Sequence, residues 1–105
     1  MRTFPKELAT FRRIINERCD TLRGLSHDEL IAAGQRPTES LKVALRSAVI
    51  KTIIQVMPDE SVRIVVQGFM YNRFLPGKSV ALDGFYKMPN GLIKPIPDKE
   101  FYEFD

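Results

Sequence analysis

At 105 residues the chain fits one domain, and domains of this size bury roughly 65% of their unfolded surface, enough for a core without a metal or a disulfide. Its single cysteine, Cys19, excludes an internal disulfide, and no apolar run approaches the roughly 18 residues of a membrane helix. The net charge of +3 describes a mildly basic body with an acidic end, residues 98–105 carrying one base and four acids, a pattern that bears on solubility more than on nucleic acid.

The first segment, TFPKELATFRRIINERCDTLRGL, predicts a helix. At about 100° per residue, Phe4, Leu8, Phe11, Ile15, Cys19 and Leu22 share one narrow stripe. Thr3 is placed to cap it, and Pro5 suits its first turn, where a missing N–H costs nothing. Arg2, Lys6, Arg13, Glu17 and Asp20 form the opposite face, and Arg13 and Glu17 stand four apart, where they pair. That mixture of signs describes a solvated face rather than a phosphate-binding one. Gly24 ends this helix. A second helix lies in LSHDELIAAG, where Ser26 and Glu29 make a capping box, Leu25 and Leu30 a hydrophobic staple, and Gly34 a left-handed stop.

The segment ESLKVALRSAVIKTIIQVM carries two patterns. Leu41, Leu45, Val49, Thr52 and Val56 line up on a helix, yet six of the ten residues from Ala48 to Met57 are β-branched. Such side chains lose rotamer freedom in a helix and pack well on a pleat. The prediction is a strand over 48–57, with a short strand near 41–45. MPDES reads as a type I turn with Pro58 second, and SVRIVVQGFMYNRF as a further strand. In it Val62, Ile64, Val66 and Met70 point one way, and Arg63, Val65, Gln67, Phe69, Tyr71 and Arg73 the other. Pro89-Asn90-Gly91 predicts a turn joining strands near 79–87 and 92–96. Pro95 and Pro97 cannot donate to a ladder, so the last strand belongs at an edge. DKEFYEFD closes the chain as a turn or short strand.

Two helices preceding antiparallel strands predict an α+β fold. The helical part, 1–34, packs on one face of a four- to five-stranded, mostly antiparallel sheet formed by residues 40–105, all within a single domain. Val62, Ile64 and Val66, with Ile50, Ile54 and Val56, are the apolar partners available to the helix stripe.

Candidate chemistry is sparse. NRFLPGKSVAL ends its loop in Gly-Lys-Ser, but a phosphate loop needs a glycine five residues before Gly77, and Asn72 stands there. The residues after Lys78, SVALDGFY, read as a strand, so Leu75–Lys78 is a turn. His27, the lone histidine, falls in an exposed first helical turn with no nucleophile near it in the pattern. One histidine and one cysteine make a poor structural zinc set. Cys19 with Arg23 gives C-x3-R on a helix, not an anion-wrapping loop, and Cys19 lies in the apolar stripe as a small hydrophobe. Asp98, Glu100, Glu103 and Asp105 are interleaved with rings that anchor the tail while the carboxylates face water. No catalytic residue, metal or cofactor is therefore expected.

The stronger signal is the sheet face turned away from the helices. Lys51, Arg63, Gln67, Phe69, Tyr71 and Arg73 combine bases, amides and rings there. Such a set suits a protein interface or self-association. It also suits single-stranded nucleic acid stacked on rings, although the aromatic spacing of an RNA-recognition strand is missing. A third reading has Val65, Phe69 and Tyr71 covered by the C-terminal hairpin and tail. The expected function is a small, soluble, cytoplasmic binding module without enzymatic activity, its partner a protein or a second copy and the alternative a nucleic acid.

Overall fold

The computed structural model describes residues 5–34, 37–44, 46–71 and 77–101. Two helices, α1 (Pro5–Arg23) and α2 (His27–Ala33), precede five strands: β1 (Glu39–Val43), β2 (Arg46–Val56), β3 (Val62–Tyr71), β4 (Lys78–Lys87) and β5 (Ile93–Lys94). A helical turn, α3 (Asp98–Phe101), comes last. The strands form one antiparallel meander in the order β1-β2-β3-β4-β5, so the fold is α+β. Among the described residues no helix is long and apolar enough to cross a membrane.

The stripe on α1 is buried as its spacing demands. Phe11, Ile15 and Cys19 are fully enclosed and Leu22 nearly so, while Lys6, Arg13, Glu17 and Asp20 are exposed. Arg13 and Glu17 stand 3.9 Å apart in water, a pair worth a few tenths of a kcal/mol, about 0.3–0.5. Thr3 and Phe4 lie outside the described residues. Helix α1 runs against β3 and β4. The approach is close because Gly68 offers no side chain: a Cβ there would stand 2.5 Å from Ile15 Cδ1 and 2.6 Å from Phe11 Cζ. One apolar cluster joins Phe11, Ile15, Cys19 and Leu22 to Ile50, Ile64, Val66, Met70 and Phe85.

In α2 the Ser26 and Glu29 side chains bond each other's backbone N–H, at 3.1 and 2.9 Å. Leu30 is buried and Leu25 packs beside it. Gly34 has φ 62° but ψ −164°, so the chain leaves the helix extended rather than through a left-handed turn. His27 is not free as its position implied. Its side chain is 14% exposed, and Nε2 is 2.6 Å from the Glu60 carbonyl, tying α2 to the β2–β3 turn.

The β-branched segment is a strand throughout, longer than expected at eleven residues. Alternation is regular along most of it, with Ala48, Ile50 and Thr52 buried and Ser47 and Lys51 exposed. Val56 departs from the expected core: it is 58% exposed at the strand's end. The β2–β3 and β4–β5 turns share one design. Met57 N–H bonds the Ser61 carbonyl and Glu60 N–H the Met57 carbonyl, while Met88–Leu92 and Gly91–Met88 repeat the two bonds. The Asp59 and Asn90 side chains each accept from the backbone N–H two residues on. Strand β5 is only two residues because Pro95 cannot extend the ladder. The segment expected to close the chain as a turn or strand contains α3 instead.

Candidate functional site

Strand register sorts side chains onto two faces. On the side turned away from α1 it sets Val49–Phe69–Val80, Lys51–Gln67–Leu82, Ile53–Val65–Gly84 and Gln55–Arg63–Tyr86 as successive cross-strand rows. Directly opposite residues on such rows have Cβ atoms about 4.5–5.5 Å apart, so side chains within a row are neighbours except at Gly84, which has none. Ser40 and Lys42 extend this face onto β1, and Lys94 onto β5.

One end of the face is covered. Arg63 donates from Nε and Nη2 to Gln55 Oε1 at 2.9 and 2.7 Å, and from Nη1 to Glu100 at 3.2 Å. Tyr86 OH donates to the same Glu100 carboxylate. Burial first, and the Glu100 carboxylate second, hold the Tyr86 phenol above its ordinary pKa. Val65 and Gln67 are buried and Ile96 is 6% exposed. The segment running from Pro95 into α3 thus lies over this end, and Glu100, expected to face water, is its clasp. A cleft of about 480 Å³ between the Met57–Ser61 turn and the Lys94–Glu100 segment borders it.

The other end is open. Tyr71 is 42% and Val80 36% exposed, and Val49, Phe69 and Leu82 are half-buried around them. Lys51 is exposed, as are Lys42 and Lys78, two cations that the sequence pattern did not assign to this face. Lys78 Nζ sits 4.4 Å from the Phe69 ring centroid, covering that ring with a cation. Of the expected set, the structure therefore leaves Phe69 and Tyr71 at the open end with Lys51 exposed at its margin, buries Gln67 opposite Lys51 between the two ends, and puts Arg63 at the covered end. Arg73 lies outside the described residues, as do Glu103 and Asp105.

Tyr71 is held from behind. Arg46, 5% exposed on β2, donates from Nε to the Tyr71 carbonyl at 3.1 Å and from Nη1 to Glu7 of α1 at 3.1 Å. One buried guanidinium thereby fixes the end of β3 and the start of α1 together. Sequence reading passed over Arg46 because an arginine beside an apolar run looks like a strand's wet edge.

On the α1 side the ionisable groups are committed to structure. Arg23 donates to Asp83 at 2.9 Å as well as to Asp20, and its hydrogen bond to Asp83 is the first cause raising its pKa. Lys87 Nζ donates to the Arg23 carbonyl. Burial first, and Asp83 next, push the Cys19 thiol up to about 12, where it is protonated at neutral pH and a poor nucleophile. Among the described residues no three His, Cys, Asp or Glu side chains gather so as to hold a metal ion. Gly77 has φ 110° and Lys78 opens β4, so the Gly-Lys-Ser triplet leads into a strand and not a helix N-terminus.

Compared with protein-family models, with curated proteins and with solved structures, the chain matches none.

Proposed function

We propose that this chain is a non-enzymatic docking module that binds another protein through the open end of its outer sheet face. In this reading both helices lie on the inner face, since α2 joins the cluster that α1 closes through Leu30 and Leu25. The outer face is then left to α3 at one end and to a partner at the other. The observation that carries the reading is the row of half-buried Val49 and Phe69 and exposed Val80, with exposed Tyr71 beside it, an apolar strip spanning three strands. Tyrosine, phenylalanine and lysine-flanked aliphatics fit the make-up of an interface core with a polar rim. Cys19, buried and unpaired, suits a reducing compartment. Cys19 is enclosed by burial, His27 is tied to the Glu60 carbonyl, and Glu100 of the tail carboxylates is bonded to Arg63 and Tyr86.

Single-stranded nucleic acid is the second reading, favoured by Lys42, Lys51 and Lys78 around Tyr71. It is the weaker one, because base stacking needs free ring faces and the Phe69 face is taken by Lys78. The docking reading is tested by affinity capture from a cell extract, using the immobilised chain and its Tyr71→Ala/Val80→Ser form. The variant is expected to keep the parent's circular dichroism and melting temperature and to lose the captured protein by about tenfold or more, the scale of a hot-spot tyrosine. Equal capture by both forms refutes it, and so does a variant that unfolds, since the rings would then be core.

A further inference from the structure

From the distribution of charge across the sheet we infer that the partner of the open face is an acidic, extended protein segment and not a second copy of this chain. The inference rests on the docking reading above and adds the chemistry of its occupant. The five strands hold only two carboxylates, Glu39 and Asp83. Register puts both on the helix side, Glu39 opposite Ile50 and Asp83 opposite Val66. Each is neutralised there, Glu39 by Arg18 at 2.8 Å and Asp83 by Arg23 at 2.9 Å. Every charged strand position on the outer face is basic.

At the covered end the chain supplies its own counter-charge, Glu100 against Arg63. At the open end it does not. Among the described residues the ion pairs include none of Lys42, Lys51 and Lys78. Lys42 donates to the neutral Ser47 hydroxyl and Lys78 rests on the Phe69 ring, so both can turn to an incoming anion without breaking an ion pair. Two copies meeting face to face would set three uncompensated lysines against three more, and like charges juxtaposed across an interface are strongly unfavourable.

Spacing narrows the occupant further. Lys42 lies on β1 and Lys78 on β4, three strand spacings apart, about 14 Å. Four residues of extended chain cover the same distance at about 3.4 Å each. A segment laid across the strands along the row Lys42–Ser47–Tyr71–Lys78 thus meets both lysines with acids four apart and drops the residue midway between them onto Ser47 and Tyr71, beside Val49 and Phe69. The motif that fits is acid-x-apolar-x-acid.

The test titrates a fluorescent peptide, Gly-Glu-Ala-Phe-Ala-Glu-Gly, against the intact chain, with a lysine-for-glutamate peptide and an oligothymidylate in parallel arms. The acidic peptide should bind, weaken as salt rises, and lose about tenfold or more when Lys42, Lys51 and Lys78 are all changed to Glu. A control reversing Lys6, Arg12 and Arg13 on the exposed side of α1 makes the same net charge change and should alter binding by less than about twofold, since charges beyond about 10 Å are screened. Equal losses in the two variants would reduce the effect to net charge and overturn the inference. So would tighter, lysine-dependent binding of oligothymidylate, or a dimer in sedimentation that Tyr71→Ala dissolves. Absence of peptide binding while capture still depends on Tyr71 and Val80 ends the inference and leaves docking standing; loss of both ends both.

Discussion

Gly68→Ala gives the sharpest test of the packing that separates the two faces of the sheet. A methyl group at that position would sit 2.5 Å from Ile15 Cδ1 and 2.6 Å from Phe11 Cζ, about 1 Å or more inside the usual carbon–carbon contact of about 3.5–4.0 Å. Phe11 and Ile15 are wholly buried, so neither can swing outward. Overpacking of this kind costs about 1–3 kcal/mol, and the close double contact argues for the upper end. Alanine also lowers unfolded-chain entropy, returning about 0.5–1 kcal/mol. The net expectation is a loss of about 2 kcal/mol, seen as a fall of about 8–16 °C in melting temperature for a domain near 100 residues. Ile15→Val removes Cδ1 and by itself should cost about 1 kcal/mol. Combined with Gly68→Ala, it should cost less than the sum by about 1 kcal/mol, because one of the two close contacts on the methyl group is then relieved. Urea unfolding of the four proteins measures the cycle. A Gly68→Ala protein within about 0.5 kcal/mol of the parent, or strictly additive losses, would show that α1 does not press on β3 at this point.

The turns, caps and buried groups carry further expectations. Glu60 has φ 72° and Gly91 φ 91° at matching positions of two alike turns, so Glu60→Gly should stabilise by about 0.5 kcal/mol and Gly91→Ala destabilise by about 1 kcal/mol; same-sign shifts in unfolding would refute the common design. Hydrogen bonds from Ser26 lower the Glu29 pKa and those from Ser61 lower that of Asp59. Their contribution is therefore complete above the ordinary carboxylate values, about 4, and is lost as the pH falls through the depressed ones. Glu29→Gln, which removes the carboxylate that the Ser26 N–H holds ionised, and Ser61→Ala, which removes the hydroxyl bonded to Asp59, should flatten the fall in melting temperature between about pH 5 and 2, and unchanged slopes would contradict the assignment. Cys19 should react with a thiol reagent at neutral pH only as fast as the chain opens, and reaction at a free thiol's rate would disprove its burial. Arg46→Met should cost about 3 kcal/mol or more by leaving the half-buried Glu7 and the Tyr71 carbonyl without their donor, whereas a neutral outcome in denaturant unfolding would remove Arg46 as the clamp behind the open face.

Much of this molecule is written locally. The burial of Phe11, Ile15, Cys19 and Leu22 comes from their spacing alone, because a 3.6-residue period leaves no other face for them. The capping box at Ser26 and Glu29 and the turn at Pro89–Gly91 likewise need only neighbours in sequence. The alternation of Val62, Ile64, Val66 and Met70 against Arg63, Phe69 and Tyr71 is legible for the same reason, since successive side chains of a strand must point to opposite faces. Tertiary structure alone decided which of those outward residues meet water. Arg63 lies on the same strand as Tyr71 and shares its parity, yet it is covered while Tyr71 is not, because the chain returns more than thirty residues later to set Glu100 on it. It also decided that Lys42 and Lys78, far apart in sequence, flank one apolar strip with no strand carboxylate on their face. A periodicity fixes the direction of a side chain from its nearest neighbours; what stands in front of it depends on segments brought there by the whole fold.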